Sequence, residues 1–272
     1  METIYLNHST QNIVPSKAES CVIALGFFDG MHLGHQEVIE SAKRIAEERQ
    51  LRFACMSFFP HPKEVLLSGS EKVQYLMPMA EKQKVLHEKG VEKFYIVEFD
   101  RRFASLSPKQ FVYEYLLQYG VEHVVAGFDF TYGYRGEGHM GRLAEDADGK
   151  LDVLKVEEVG CKGQKISSTL IRNLICSGRM DLIEEYLGRS YELVGKIRVN
   201  HDVLEIVIDP YYLLPASGEY EVLVKMGVAE WVQTATVVDG KVILQKYDSQ
   251  RHFLHDFTNV RLEWKRCLVP VL

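Results

Sequence analysis

No stretch of the chain approaches the roughly 18 uninterrupted apolar residues that a membrane span requires. The N-terminus, Met1-Glu2-Thr3-Ile4-Tyr5-Leu6-Asn7-His8, has no basic segment followed by an apolar one, so neither an anchor nor a secretory leader is expected. Cysteine is sparse. The five present (Cys21, Cys55, Cys161, Cys176 and Cys267) are odd in number, scattered and without a C-x-x-C pair. That argues against a disulfide framework or a zinc knuckle and fits a reduced, cytoplasmic setting. An excess of positive charge is missing too: 32 Lys and Arg against 38 Asp and Glu leave a net charge of -6. Binding of a phosphate backbone by overall charge is therefore disfavoured, and neither nucleic acid nor membrane is an expected partner. Oligomeric state leaves no mark in the sequence.

What is present is an ordinary globular composition, 46% hydrophobic and 26% charged over 272 residues, enough for one large domain or two of usual size. From Cys21 to about Tyr186, short β-type runs alternate with helix-period segments, the pattern of a parallel sheet covered by crossover helices. Val22–Leu25 reads as a strand ending at Gly26, and Val38, Ile39, Ala42, Ile45 and Ala46 recur at helical spacing through Arg49. Arg52–Phe59 and Lys93–Phe99 read as strands, with a helix from Met79 to Lys89 between them, closed by Gly90. Ser107 before Pro108 is an N-cap followed by proline at the first helical position; Phe111, Tyr115 and Leu116 form the apolar stripe, and Gly120 ends the helix. Strands are expected over Val121–Phe130 and Leu151–Val159, separated by the glycine-rich loop Gly133–Gly141, expected to be mobile. Ser167 and Ser168 cap a helix carrying Leu170, Ile171, Leu174 and Ile175 to Gly178, and a second short helix runs to Gly188.

Beyond Tyr191 the pattern becomes strand-like: Tyr191–Val199, Val203–Ile208, Glu219–Val224, Trp231–Val238, Lys241–Lys246 and Val260–Val269. Asp239-Gly240 between two alternating runs marks a type I′ hairpin, because both central positions of that turn need positive φ. Short antiparallel strands of this number close economically as a small barrel. The fold class expected is α/β, a Rossmann-like domain with a parallel sheet over residues 1–187, followed by a small antiparallel β-barrel over 188–272.

The chemistry concentrates where the first strand passes into the first helix, at Gly26-Phe27-Phe28-Asp29-Gly30-Met31-His32-Leu33-Gly34-His35. In an open α/β sheet ligands bind at such a turn, where free N–H groups and the helix dipole face an anion. Two histidines on a backbone bent by Gly30 and Gly34 are placed to address one phosphate, donating hydrogen bonds and, when protonated, offsetting charge that gathers there. Two satisfied surface histidines are the bland alternative. A zinc pair fits less well, since metal-binding histidines on one helix face usually stand four apart and no third ligand is evident. His-x-Gly-His points to attack on the α-phosphate of ATP, a chemistry that several nucleotidyltransferases and aminoacyl-tRNA synthetases share, without naming the acceptor. Ile166-Ser167-Ser168-Thr169-Leu170-Ile171-Arg172 opens a helix with three hydroxyls and an arginine one turn inside, groups suited to hold phosphate oxygens and a leaving pyrophosphate. Plain N-capping with a solvated Arg172 is the alternative.

Taken in order, Gly26-x-Phe28-Asp29-Gly30-x-His32-x-Gly34-His35, Phe59-Pro60-His61-Pro62, Ala126-Gly127-Phe128-Asp129-Phe130-x-Tyr132-Gly133 and Ile166-Ser167-Ser168-Thr169-x-x-Arg172 closely resemble the adenylyltransferase module of the prokaryotic bifunctional riboflavin kinase/FAD synthetase family. Leu187-Gly188-Arg189-Ser190-Tyr191-x-Leu193-x-Gly195 resembles that family's junction to its kinase barrel. The resemblance implies the reaction FMN + ATP → FAD + pyrophosphate, with Mg2+ carried on the ATP phosphates and no metal site of the protein's own. It implies that His32 and His35 stabilise the α-phosphoryl transition state and that Gly26, Phe28, Asp29, Gly30 and Gly34 shape the ATP pocket. Ser167, Ser168, Thr169 and Arg172 would hold the triphosphate, and Phe59, Pro60, His61, Pro62 and Asp129 would border the flavin. Phe27 has no role in this scheme, since relatives carry asparagine or another small residue there.

The second half departs from the family pattern. Its kinases carry a glycine-rich loop and a Gly-Phe-Pro-Thr-Ala-Asn segment, whose threonine and asparagine serve magnesium and ATP, and a later carboxylate base. Here the corresponding stretch is Gly195-Lys196-Ile197-Arg198-Val199-Asn200-His201-Asp202-Val203-Leu204-Glu205-Ile206-Val207-Ile208-Asp209, and the sequence stops soon after Cys267, where relatives continue into a helix. Gly218-Glu219-Tyr220-Glu221-Val222 still resembles the barrel strand. A single-activity FMN adenylyltransferase with a degenerate kinase barrel is the expectation. The alternatives are a bifunctional enzyme, adenylyl transfer to another phosphorylated acceptor, and a non-catalytic flavin or nucleotide sensor. His252 and His255 read as solvated surface residues rather than a metal pair.

Overall fold

The computed structural model describes residues 1–7, 18–66, 72–200, 203–245 and 257–270. His8, His201, Asp202, Lys246, His252 and His255 lie outside the described residues, so the surface reading of the histidine pair is not addressed. The chain forms two compact units, one of residues 1–73 and 79–160, the other of residues 74–78 and 161–272. By compactness, residues 161–187 group with the barrel.

The first unit is built on β1 (Glu2–Leu6), β2 (Cys21–Leu25), α1 (Leu33–Arg49), β3 (Arg52–Phe59), α2 (Pro62–Leu66), α3 (Met79–Glu88), β4 (Lys93–Glu98), α4 (Pro108–Phe111) and β5 (Val121–Gly127). The ribbon β6 (Thr131–Tyr132) and β7 (Gly138–His139), α5 (Leu143–Asp146) and β8 (Asp152–Val156) complete it. Six parallel strands lie in the order β1-β4-β3-β2-β5-β8. All five residues of β2 are buried, as befits a central strand covered on both faces. Successive crossovers run from β2 through β3 to β4 on one side, whereas β5 pairs with β2 on the other. The order reverses between β2 and β5, and the crevice outside the carboxyl ends of those two strands is where such sheets bind ligands.

Several elements differ from the sequence expectation. β1, which carries no strand signal in the sequence reading, is the edge strand of the sheet beside β4, and its Tyr5 is exposed. α1 begins at Leu33, putting Gly34 and His35 inside the helix and making His32 its N-cap. The helix entered at Pro108 has the full capping box of Ser107 and Gln110, then widens into a π-helical turn (Val112–Leu116) and tightens into a 3₁₀ turn (Leu117–Tyr119). Phe111, Tyr115 and Tyr119 are all buried, and residues four apart drift by about 40° per step around a regular α-helix; the wider turn keeps the three rings on the core face. β5 stops at Gly127, because the Phe130 N–H turns back to the Gly127 carbonyl. The glycine-rich loop is folded rather than loose: β6 pairs with β7, and the buried Tyr132 hydroxyl donates to Asp146 Oδ2 at 2.7 Å.

At the second unit, β9 (Gly160–Cys161), where the two units divide, pairs with β10 (Gln164–Lys165); α6 (Ser168–Cys176) and α7 (Ile183–Leu187) follow. Then come β11 (Tyr191–Asn200), β12 (Val203–Ile208), β13 (Gly218–Met226), β14 (Ala229–Val238), β15 (Lys241–Gln245) and β16 (Asn259–Pro270). These close into an antiparallel barrel in the order β11-β12-β15-β14-β13-β16. Alternate residues face inward, and the fully buried rings of Tyr191, Tyr220 and Trp264 are its largest filling groups. Asp239 (φ 49°) and Gly240 (φ 70°) form the left-handed pair that a type I′ hairpin needs. Among the described residues, no helix is long and apolar enough to cross a membrane.

Candidate active site

The first unit brings three of the four motifs to the carboxyl ends of its central strands: the turn after β2, Phe59–Pro62 after β3, and Asp129 after β5. The β2–α1 turn is tight. Phe28 and Met31, both at φ 50°, occupy the left-handed region that side chains other than glycine seldom enter, and Gly30 between them sits at φ 82°. Phe28 is fully buried, with its ring edge-on to His35 at 5.5 Å between centroids. It therefore backs the imidazole instead of presenting a face outward. A Cβ at Gly26 would come within 2.8 Å of the Phe28 ring, which explains glycine there.

The two imidazoles stack, with centroids 3.6 Å apart and planes 15° from parallel. Gly34 permits this: a Cβ at that position would press on the His32 ring at 3.3 Å. As the N-cap, His32 accepts the His35 backbone N–H at Nδ1 (3.2 Å), so in the neutral ring the proton resides on Nε2. His35 is held well below the usual histidine range, first by burial, then by the neighbouring His32 ring and the Lys82 ammonium. Its Nδ1 is buried and has no hydrogen-bond partner among the described residues. His35 thus carries little charge of its own at neutral pH, and the stacked pair stands at the positive end of a 17-residue helix.

Phe27, which has no role in the sequence reading, is the hinge of the site. Its carbonyl accepts from Ser57 Oγ (2.9 Å) and Lys82 Nζ (2.6 Å). Its ring lies 5.5 Å from His61 and 5.4 Å from Phe58, and Phe58 lies 6.4 Å from Phe130. Rings from the ends of β2, β3 and β5 therefore make a continuous aromatic wall. The Phe59–Pro60 bond is cis, and the His61 Nδ1 accepts the Lys63 N–H at 3.1 Å as Pro62 opens α2. Asp129 is exposed, and its Oδ1 would meet a Cβ at Gly127 at 3.3 Å. Asp29 is buried at 6% exposure. Lys82 has no motif signal, and only its burial on α3, at 2% exposure, reveals it.

The fourth motif belongs to the second unit. Ser167 is the N-cap of α6, its Oγ accepting the Leu170 N–H at 3.2 Å. Ser168 is partly buried and Thr169 exposed in the first turn. Arg172 does not extend into solvent: its Nη1 donates to the Gln74 carbonyl at 2.5 Å. That carbonyl lies in the strap 74–78, which also exchanges hydrogen bonds with the 211–213 segment through Tyr75.

Comparison with known proteins adds to this geometry. Residues 14–170 match the family model described as FAD synthetase. The chain is 40% identical over 230 residues to the bifunctional riboflavin kinase/FMN adenylyltransferase of Bacillus subtilis, covering 82% of this chain and 72% of that protein. It is 32% identical over 212 residues to a Listeria monocytogenes protein named FAD synthetase, covering 77% of this chain and 84% of that protein. Among solved structures, a macrolide-efflux protein from Streptococcus pneumoniae is similar at 26% identity and a TM-score of 0.85, covering 100% of this chain and 92% of that one. The stacked imidazoles at the switch point of the sheet and the extent of these matches lead to one assignment: the chain belongs to the FAD synthetase family.

Proposed function

We propose that the protein is an FMN adenylyltransferase that transfers AMP from ATP to FMN, giving FAD and pyrophosphate, and that its barrel has no riboflavin kinase activity. A phosphate monoester has a second pKa near 6, so FMN arrives largely as a dianion that needs no general base. One of its phosphate oxygens forms the new bond to the ATP α-phosphorus. The bond from that phosphorus to the bridging oxygen breaks, and pyrophosphate leaves with the electron pair. Catalysis is then alignment and stabilisation of charge on the α-phosphoryl oxygens. His32 supplies an Nε2–H whose tautomer is set by the His35 N–H, and His35 supplies the second imidazole. Gly26, Phe28, Asp29, Gly30 and Gly34 shape the nucleotide pocket, whereas the aromatic wall, with Phe59, Pro60, His61, Pro62 and Asp129, borders the flavin. Ser167, Ser168, Thr169 and Arg172 hold phosphate oxygens, and magnesium enters on the ATP phosphates. FMN and ATP are cytoplasmic substrates, in keeping with five free cysteines.

The observation that carries this reading is the stacked, tautomer-fixed histidine pair at the N-terminus of α1. Incubation with FMN, ATP and magnesium, followed by flavin chromatography and a pyrophosphate assay, is expected to yield both products in equal amounts. No FAD from the wild-type protein overturns the reading. His32→Ala is expected to lower turnover by about 100- to 1,000-fold, the usual effect of losing one transition-state donor, with a far smaller change in FMN and ATP affinity.

For the barrel, the supporting observation is a direct strand pairing. Asn200 and Val203 pair directly across β11 and β12, with two residues between them, where the kinase pattern has its Pro-Thr-Ala-Asn segment. Riboflavin presents an alcohol of high pKa, so loss of the threonine and asparagine that serve magnesium and ATP in the kinase pattern deprives that step of its means.

A further inference from the structure

Lys82 takes no part in the reaction as derived above, yet it is a buried ammonium beside the reacting groups. It lies on α3, 55 residues from Phe27 in sequence, and is 2% exposed. Nζ donates to the Phe27 carbonyl at 2.6 Å and to Ser57 Oγ at 3.2 Å, and Ser57 in turn donates to the same carbonyl at 2.9 Å. Both acceptors are neutral oxygens, so neither hydrogen bond cancels the charge. An apolar side chain of similar length would fill the volume without the penalty of burying an ammonium. The charge therefore does something that packing alone does not require.

Two consequences follow from its place. The triad of Lys82, Ser57 and the Phe27 carbonyl ties the β2–α1 turn to β3, holding the left-handed residues Phe28 and Met31 in position. The positive charge also reaches the histidine pair, helping to keep His35 neutral, and it sits near Asp29. A polyphosphate drawn to this turn brings several negative charges towards a cation whose hydrogen-bond partners among the described residues are neutral and whose opposing charge is Asp29. We propose that Lys82 is a positioning residue for adenylyl transfer, fixing the Phe27–Gly30 turn and favouring the anionic transition state held by His32 and His35. This rests on the adenylyltransferase reading.

The groups facing Lys82 are Asp29 and the Phe27 carbonyl from the turn, His35 with His32 beyond it from α1, and Ser57 from β3. Burial pushes the ammonium down to about 8, against the opposing pull of Asp29. The profile of kcat/KM for ATP, which reports the free enzyme, is therefore expected to fall as pH rises through that value. Arginine keeps its charge throughout. Lys82→Arg is expected to retain part of the activity and lose the alkaline limb, and Lys82→Met to lower kcat/KM about 100-fold and show no limb near pH 8. Thermal melts establish that each variant is folded. A folded Lys82→Met with kcat/KM within about twofold of wild type overturns the proposal, as does a Lys82→Arg whose alkaline limb stays near pH 8. Should Lys82→Met fail to fold, the Lys82→Arg limb decides. An inactive wild-type enzyme defeats the adenylyltransferase reading instead, so the two failures are distinguishable.

Discussion

The carboxyl edge of the parallel sheet and the barrel are held together by different means, and the contrast separates a surface shaped for chemistry from one shaped for closure. At the sheet edge, polar groups are buried and fixed by specific partners: Lys82 by the Phe27 carbonyl and Ser57, His32 by a backbone N–H, Tyr132 by Asp146. Two left-handed non-glycine residues, Phe28 and Met31, are stored in one turn. In the barrel, the interior is mainly apolar and aromatic, and ion pairs such as Arg266 with Glu221 and Arg198 with Glu205 sit towards solvent, while the buried Glu263 is held by Lys225 and Lys265. Burying polar groups and strained backbone costs stability, and at the sheet edge they surround the paired imidazoles. Among its described residues, the β11–β12 hairpin has no buried charged side chain and no left-handed residue.

The largest effect that can break this contrast is catalytic and all-or-none. With riboflavin and ATP·Mg, the protein is expected to form no FMN by chromatography, whereas FMN is converted to FAD; robust flavin phosphorylation would show that the barrel retains a working site. Next in size is a polar anchor of the first unit. Burial, with the Asp146 carboxylate beside it, pushes the Tyr132 phenol up, so it remains a hydrogen-bond donor at any working pH. Asp146 is 1% exposed at its side chain and also accepts from Arg142 Nη2 at 2.7 Å. Tyr132→Phe removes a hydrogen bond to a buried carboxylate and is expected to cost about 1.5–3 kcal/mol, read as a lower midpoint in urea with little change in slope. The smallest effect belongs to the barrel. Gly240→Ala places a side chain at φ 70° in open space, with nothing within 4 Å, so only backbone strain opposes it, roughly 1–2 kcal/mol. A Gly240→Ala loss larger than that of Tyr132→Phe would reverse the contrast.

Much of the fold is legible locally. Ser107-Pro108 opens a helix and Asp239-Gly240 makes a hairpin because capping and turn dihedrals depend on a few adjacent residues. The runs Val22–Leu25 and Arg52–Phe59 announce buried parallel strands by their apolar continuity. β1 is less legible: Glu2–Leu6 becomes a strand through pairing with β4, some ninety residues away. The site divides in the same way. His32 and His35 are conspicuous in sequence, but Phe27 and Lys82 carry no motif, since their part comes from one carbonyl and one ammonium meeting across 55 residues.

The sequence by itself determined the alternation of strands and helices, the β-rich second half and the paired histidines at the first strand–helix turn, because period, caps and turn dihedrals are local properties of the chain. Only the tertiary structure decided the reversal of strand order beside β2, the grouping of residues 161–187 with the barrel, the stacking of the two imidazoles and the burial of Lys82 against the Phe27 carbonyl. Those depend on which distant surfaces exclude water from one another. Burial and pairing across long separations set the charge state of a side chain, and no short window of sequence contains them.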